Sequence, residues 1–224
     1  MAKISIIVPC KTIDDYVGRC LWYLERLPED KEIIVVEDAI IPGLPSAKRN
    51  WAMQRAKGEI YAFIDSDAYP SPQWLERATF WLQTFEAVCG PGVLPPDAPK
   101  SEQIADQVHK WMFCPYRVSP MSPRIVPWFP TFNLIVKREA VKPFEDYLTG
   151  EDDKFGLNIK GGIFYHPSIL VYHNRRGAFK PLLKQFATWG RHKGAFVGIA
   201  FFAWVSTIFV YTSSWISGFI RRKP

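Results

Sequence analysis

The chain has 224 residues, of which 48% are apolar, so it is long enough for one domain with a full core and an appendage. Its four cysteines form no C-x-x-C pair or metal-like cluster, which excludes a cysteine-based metal site and favours reduced thiols in a cytosolic compartment. The net charge of +6 is uneven, because the residues after Asp153 include eleven Lys or Arg and no acidic residue. This asymmetry indicates an anionic partner for the C-terminal third.

Short apolar runs alternate with helical patterns from the N-terminus onward. The pattern predicts strands at 5–9, 32–36, 60–64 and 87–90, with helices at 16–27, 47–56 and 71–85. This alternation predicts an α/β fold with a mostly parallel sheet flanked by helices. A proline-rich insert then covers 91–130, and the chain resumes with predicted strands at 132–136, 163–165 and 169–172.

The third predicted strand ends in two carboxylates, Asp65 and Asp67. Alternate residues of an extended chain point the same way, and ligands of open α/β sheets bind beyond the carboxyl ends of the strands. Two hard oxygen donors suit Mg²⁺ or Mn²⁺, which usually share their coordination shell with substrate phosphates. A lone D-x-D pattern has a simpler explanation, a strand end followed by an Asp-rich turn.

Polar residues recur at comparable points along the chain. Pro9 closes the first predicted strand, Asp38 follows the second, and an acidic cluster at 151–153 opens a helix. The segments that matter are Ser5-Ile6-Ile7-Val8-Pro9, Val35-Val36-Glu37-Asp38, Ala47-Lys48-Arg49-Asn50, Ala56-Lys57-Gly58-Glu59, Phe63-Ile64-Asp65-Ser66-Asp67, Gly150-Glu151-Asp152 and the later His173. In this order they resemble the family-2 glycosyltransferases, inverting enzymes with the Rossmann-like A-type nucleotide-sugar fold. The resemblance covers about residues 4–194, and we predict a catalytic domain over 1–194.

The resemblance implies a nucleotide-sugar donor and assigns five donor-binding residues. Pro9 and Asp38 would flank the base, with the Asp38 carboxylate accepting from a ring N–H. Arg49 would lie near the diphosphate, whose oxygens suit a planar guanidinium. Asp67 would bind the metal, and Asp65 the ribose side or a water on the metal. Without the resemblance, Asp38 is equally well explained as a turn cap and Arg49 as a solvated helix charge.

The resemblance also implies the catalytic groups. Asp152, beside Glu151, would be the general base that takes a proton from the acceptor hydroxyl, and adjacent carboxylates can raise a pKa toward a useful value. The sequence leaves open whether Asp152 or Asp153 is the base, and Asp153 is also a candidate acceptor residue. His173 would be a metal or phosphate ligand, although a single histidine is often structural.

Two departures from the family pattern matter. The second strand ends in Glu-Asp-Ala rather than Asp-Asp-Gly-Ser, which leaves the donor's base open. The run 185–189 is similar to the Q-x-x-R-W motif of processive polysaccharide synthases, but Thr188 replaces the arginine. We therefore expect a non-processive enzyme, in which Trp189 packs near the acceptor or lies at a membrane interface.

The C-terminal segment is predicted to associate with a membrane. No charged residue occurs over 195–220, a length that exceeds the roughly 20 residues needed to span a bilayer core. Basic residues flank it on both sides, so membrane lipid is the predicted partner of 195–223, and no nucleic-acid-binding motif is present. With 195–224 as a hydrophobic helix and basic tail, and no signal peptide, the predicted location is the cytoplasmic face of a membrane.

The resemblance implies an inverting, metal-dependent glycosyltransferase, and the placement of the basic apolar segment adds the expectation of a glycan or lipid-linked acceptor, in cell-envelope polysaccharide or glycolipid synthesis. Two alternatives stay open. One is a catalytically degenerate, membrane-bound scaffold that still binds a nucleotide sugar. The other is a sugar nucleotidyltransferase, although the sequence after the first strand lacks a glycine-rich phosphate loop.

Overall fold

The computed structural model describes residues 3–112, 120–145 and 151–175. The predicted acceptor residue Trp189, the domain boundary at residue 194 and the hydrophobic segment 195–224 lie outside the described residues. What is described forms two units. The first contains the chain up to Pro95 and from 120 to Asn174, and the second contains 96–112 and Arg175.

The first unit carries ten strands, four α-helices and one short 3-10 helix. The strands are β1 (Ile4–Pro9), β2 (Lys31–Val36), β3 (Ile60–Ile64), β4 (Ala68–Pro70), β5 (Ala87–Cys89), β6 (Gly92–Val93), β7 (Arg124–Val126), β8 (Asn133–Lys137), β9 (Ile163–Tyr165) and β10 (Val171–His173). The helices of this unit are α1 (Asp15–Glu25), α2 (Pro45–Arg55), α3 (Trp74–Leu82), α5 (Glu151–Leu157) and the 3-10 helix Arg138–Ala140. The second unit contains α4 (Lys100–Met112).

Seven strands form one mixed sheet in the order β2-β1-β3-β8-β5-β9-β7. Strands β2, β1 and β3 are parallel, as are β5 and β9, whereas β8 runs antiparallel to both of its neighbours and β7 is antiparallel to β9. Helices flank this sheet, so the predicted α/β class is confirmed, but the predicted mostly parallel sheet is wrong, because β7 and β8 run antiparallel to their neighbours and the sheet is mixed. A second, three-stranded sheet has the order β4-β10-β6.

The core lies around the central strands, whose residues are buried on both faces. All six residues of β1 and all five of β3 are buried, which explains why these strands read as continuous apolar runs. The one polar residue of β1, Ser5, donates to Glu32 Oε1 at 2.6 Å and accepts from the Gly58 amide at 2.8 Å. A Cβ on Gly58 would lie 2.6 Å from the Ser5 nitrogen, so this close approach of two backbones requires glycine.

The direction of β8 determines which loops meet at the edge of the large sheet. Because β8 is antiparallel to β3, its first residue, Asn133, pairs with the last residue of β3, Ile64. The residues just before β8 therefore lie beside those just after β3, at the carboxyl edge of the parallel strands. In the small sheet, His173 at the end of β10 pairs with Ala68 at the start of β4, next to Asp67.

The second unit has its own buried charges. Arg175 donates its Nε to Asp106 Oδ1 at 3.1 Å and its backbone amide to Glu102 Oε2 at 2.9 Å. Lys110 lies 2.8 Å from the other oxygen of Asp106. These contacts hold Arg175 to α4, since buried charges persist where they are paired.

The predicted location is corrected by the structure. Across 3–112, 120–145 and 151–175, no helix has both the length and the apolar character needed to cross a bilayer. The prediction of a single C-terminal membrane segment at the cytoplasmic face is therefore not supported. It rested on the uncharged run at 195–220, which lies outside the described residues.

Candidate active site

Two carboxylates and one imidazole converge where β3 ends and β10 ends. The ligand atoms of Asp65, Asp67 and His173 all lie within 4.8 Å of one another, and His173 Nε2 is 3.1 Å from Asp67 Oδ1. The ring of Phe132 stacks on His173 at a centroid distance of 4.8 Å. Two carboxylate oxygens and one imidazole nitrogen are a donor set that fits a divalent metal ion.

The turn after β3 presents these carboxylates through its backbone. The Ala68 amide donates to the Asp65 carbonyl at 3.0 Å, and the Asn174 amide donates to the Asp67 carbonyl at 3.0 Å. The first bond closes the turn within the D-x-D sequence, and the second ties that turn to the residue after β10. The spacing of the cluster thus depends on both sheets.

Arg49 of α2 links this cluster to the acidic residues of α5. Its Nη2 donates to Asp65 Oδ1 at 3.0 Å, and its Nη1 lies 3.7 Å from both Glu151 Oε1 and Asp152 Oδ1. The Arg49 side chain is only 4% exposed. A buried guanidinium is stable only when paired, and here three carboxylates from two distant parts of the chain compensate its charge.

Burial changes the acidity of two of these carboxyl groups. Burial raises the pKa of Asp65, an effect that Arg49 opposes and Asp67 reinforces. Burial also raises the pKa of Glu151, and the adjacent Asp152 raises it further. Clustered carboxyl groups with raised pKa values are typical of functional sites.

Asp152 has a second partner that the sequence analysis missed. The fully buried Thr131, two residues before β8, donates its hydroxyl to Asp152 Oδ1 at 2.8 Å. Thr131 lies at the end of the proline-rich insert, and no local pattern marks it as functional. Its role follows from the antiparallel direction of β8, which places it opposite α5.

Asn133 is a second residue that sequence reasoning missed. Its side-chain amide donates to the carbonyls of Gly90 and Ile169, each at 2.8 Å, and its Oδ1 accepts from Trp74 Nε1 at 2.8 Å. These bonds join β8 to the end of β5, to the loop before β10 and to α3. An asparagine inside the predicted apolar strand 132–136 was the available signal, because a buried amide needs several partners.

Pro9 and Asp38 lie at neighbouring strand ends. Pro9 ends β1 and pairs with Val36, the last residue of β2. The carboxylate of Asp38 accepts a hydrogen bond from the buried Lys48, and that bond lowers the pKa of Asp38. The Asp38 side chain remains 43% exposed, so an ionised carboxylate is presented to solvent at this edge.

The structure thus brings most of the predicted site residues together. Asp65 belongs both to the cluster with Asp67 and His173 and to the contacts of Arg49 with α5. Asp38 contacts Lys48, the residue before Arg49 in α2. The individual roles assigned to these residues, including the choice between Asp152 and Asp153, stay predictions.

Comparison with known proteins shows similarity to glycosyltransferases. Residues 42–144 match the sequence model of glycosyl transferase family 2. The poly(ribitol-phosphate) beta-glucosyltransferase of Bacillus spizizenii is 33% identical over 103 residues, which cover 34% of this chain and 16% of the relative. The chain therefore spans a small part of that relative.

A second relative aligns over most of the chain. The dolichyl N-acetyl-alpha-D-glucosaminyl phosphate 3-beta-D-2,3-diacetamido-2,3-dideoxy-beta-D-glucuronosyltransferase of Methanococcus voltae is 21% identical over 257 residues, covering 90% of this chain and 76% of the relative. Together, these matches show that the chain is similar to glycosyltransferases, and that residues 42–144 resemble family 2.

Solved structures show the fold. TarS of S. aureus in complex with UDP-GlcNAc superposes with a TM-score of 0.56 at 18% identity, covering 83% of this chain and 65% of that one. The mannosyltransferase PcManGT of Pyrobaculum calidifontis, in complex with GDP-Man and Mn²⁺, gives a TM-score of 0.54 at 18% identity and covers 85% and 61% of the two chains. The fold is therefore the A-type glycosyltransferase fold.

Proposed function

We propose that this protein transfers a sugar from a nucleotide-diphosphate sugar to an acceptor hydroxyl, with metal dependence and inversion at the anomeric carbon. The observation that carries the proposal is the convergence around Arg49. Its buried guanidinium contacts Asp65, which belongs to the candidate metal cluster. The same guanidinium also contacts Glu151 and Asp152, which are the candidate catalytic residues. The residues that would bind the metal and the residues that would accept the proton thus contact the same side chain.

Asp65, Asp67 and His173 would hold Mg²⁺ or Mn²⁺ beside the donor diphosphate. Such an ion neutralises the charge that builds on the departing nucleoside diphosphate. The imidazole in the donor set favours Mn²⁺ over Mg²⁺, which prefers oxygen ligands. The Mn²⁺ in the PcManGT complex supports this choice, although it describes that protein.

Pro9 and Asp38 would form the donor's base site. Both lie at the carboxyl edge of β1 and β2, where α/β sheets bind their ligands. Lys48 keeps the exposed Asp38 carboxylate ionised, so it can accept from a ring N–H of the base. UDP-GlcNAc and GDP-Man, bound by the two solved neighbours, mark uridine and guanosine diphosphate sugars as the first donors to test.

Asp152 would act as the general base. In an inverting transfer, the acceptor oxygen attacks the anomeric carbon from the face opposite the leaving diphosphate while the base takes its proton. Asp152 contacts Nη1 of Arg49 whereas Asp65 contacts Nη2, which supports a base that is near the metal cluster but does not belong to it. The names of the two relatives contain a poly(ribitol-phosphate) and a dolichyl-linked sugar phosphate, and they support a glycan or lipid-linked acceptor.

The proposal is tested with two neighbouring variants, Asp152→Asn and Asp153→Asn. Release of nucleoside diphosphate is measured from UDP-, GDP- and dTDP-sugars with Mn²⁺. Loss of a general base lowers turnover by about 10²–10⁴-fold, and this loss is expected for Asp152→Asn alone. Equal activity in wild type and Asp152→Asn would contradict the assignment. Donor binding without turnover by the wild type would instead support the catalytically degenerate alternative.

A further inference from the structure

The contact between Thr131 and Asp152 is specific to one carboxylate oxygen. The Thr131 hydroxyl donates to Oδ1 of Asp152 at 2.8 Å, and the nearest approach of Arg49 to Asp152 is to the same oxygen, at 3.7 Å. Both interactions, from two different elements, thus bind Oδ1. Because both contacts are made by Oδ1, Oδ2 is the oxygen of Asp152 that is suited to take a proton from a substrate.

The segment that carries Thr131 is fixed at its neighbouring residues. The ring of Phe132 stacks on His173, and Asn133 is held by hydrogen bonds with Gly90, Ile169 and Trp74, among others. Consecutive side chains therefore contact the candidate base, the candidate metal cluster and the surrounding loops. Because the neighbouring residues hold this backbone in place, the Thr131 hydroxyl has a defined position relative to Asp152 and to the candidate metal cluster.

Helix α5, which carries Asp152, is fixed against the same segment. A Cβ on Gly156 would lie 2.7 Å from Trp128 Cβ, so only glycine allows α5 to pack this closely against the residues before Thr131. On its other side, Phe155 stacks on Phe144 with a centroid distance of 3.8 Å. The backbone of α5 is thus held at a fixed distance from Thr131.

We propose that Thr131 is a positioning residue for Asp152, which orients the carboxylate so that Oδ2 takes the proton of the acceptor hydroxyl. A carboxylate at the end of a side chain rotates with little resistance, because terminal torsions to planar groups have broad minima. The hydrogen bond to Oδ1 selects one orientation before substrate binds. The inference rests on the proposed function and names the atom that performs its proton transfer.

Two substitutions separate the hydroxyl from the volume of the side chain. Thr131→Val keeps the shape and removes the hydroxyl, whereas Thr131→Ser keeps the hydroxyl and removes a methyl group. Thr79→Val is the matched control, because the Thr79 hydroxyl bonds a backbone carbonyl of its own helix, α3. Steady-state kinetics of donor turnover give kcat and KM for each variant, and thermal unfolding identifies the temperature at which all are folded.

The expected result is a kcat for Thr131→Val that is about tenfold or more below wild type, with the donor KM unchanged, since small errors of position reduce the rate strongly. Thr131→Ser is expected to retain most of the activity, and Thr79→Val all of it. A Thr131→Val enzyme as active as wild type would overturn the proposal. Equal losses in Val and Ser variants would also overturn it, because they would indicate packing alone. An inactive wild type would overturn the proposed function itself.

Discussion

His173 Nε2 lies 3.1 Å from Asp67 Oδ1, although 106 residues separate them in the chain. The antiparallel pairing of β10 with β4 creates this contact, because it brings the end of one strand beside the start of the other. The third ligand of the candidate metal cluster therefore comes from a different part of the chain than the two aspartates. The small sheet therefore brings His173 to the two aspartates that follow β3.

The first prediction concerns metal binding by His173. His173→Ala is expected to weaken Mn²⁺ binding by at least about tenfold, because it removes the one nitrogen ligand of the cluster. Calorimetric titration of Mn²⁺ without nucleotide measures this directly. His166→Ala is the control, since His166 bonds Ser168, packs on Trp81 and is not one of the three residues of the cluster. Equal Mn²⁺ affinity in wild type and His173→Ala would remove His173 from the ligand set.

The second prediction concerns the pH dependence of stability. Burial and Asp152 raise the pKa of Glu151 above its ordinary value of 4.5. A carboxyl group with a raised pKa in the folded state destabilises the fold when ionised, and this cost disappears as pH falls through the raised pKa toward 4.5. Glu151→Gln resembles the protonated acid, so it is expected to increase the free energy of unfolding at pH 7.

That gain is expected to shrink as the pH approaches 4.5 and to vanish below it. Urea unfolding of both proteins between pH 4 and pH 8 measures the difference. Glu139→Gln, at an exposed position of the 3-10 helix, is the control and is expected to change stability little at either end. A Glu151→Gln variant that is less stable than wild type at pH 7 would contradict the account.

The third prediction concerns the charge of Arg49. Arg49→Met keeps an unbranched side chain of similar length but leaves Asp65, Glu151 and Asp152 without their shared cation. Breaking a buried ion pair costs about 3–5 kcal/mol, and the lower value is expected here because Asp65 is 35% exposed. Denaturant unfolding at pH 7 measures the change in free energy.

Arg55→Met is the matched control on the same helix. Arg55 is exposed and packs over the ring of Trp51 at 3.9 Å, so its loss is expected to cost under about 1 kcal/mol. Similar stabilities for the two variants would show that the carboxylates do not depend on Arg49.

The fourth prediction concerns Asn133. Asn133→Ala would leave the Gly90 and Ile169 carbonyls and the Trp74 N–H without their partner. Each buried group left unpaired costs about 1–3 kcal/mol, so a loss of at least about 3 kcal/mol is expected in urea unfolding. The exposed Asn158→Ala is the control and is expected to change stability by about 0.5 kcal/mol or less. A small effect for Asn133→Ala would contradict its place as a structural link.

The elements of the fold were predictable where local pattern determines them. The runs at 5–9, 32–36 and 60–64 became β1, β2 and β3 with ends shifted by no more than one residue, since each strand contains a continuous run of apolar residues. The direction of β8 was not predictable in the same way. It depends on the path of the chain through the insert before it, and no local pattern records that path.

The candidate site likewise contains residues that the sequence identified and residues that only the structure revealed. Asp65 and Asp67 were selected because they follow a predicted strand, and Asp152 was selected by the resemblance to family-2 glycosyltransferases. Thr131 and Asn133 act through residues that are distant in the sequence, so their contacts exist only in the folded chain. The three carboxylate contacts of Arg49 likewise required the placement of α5 beside α2.

The most direct test of the central claim is the rate of nucleoside diphosphate release from a nucleotide sugar, with Mn²⁺ and with EDTA, for wild type and Asp67→Ala. The account predicts release from one class of donor that requires Mn²⁺ and is lost in Asp67→Ala, because that substitution removes a ligand from the cluster with Asp65 and His173. Release that is equal with EDTA, or equal in Asp67→Ala, would contradict metal-dependent transfer. No release from any donor by a folded wild type would contradict the enzyme itself.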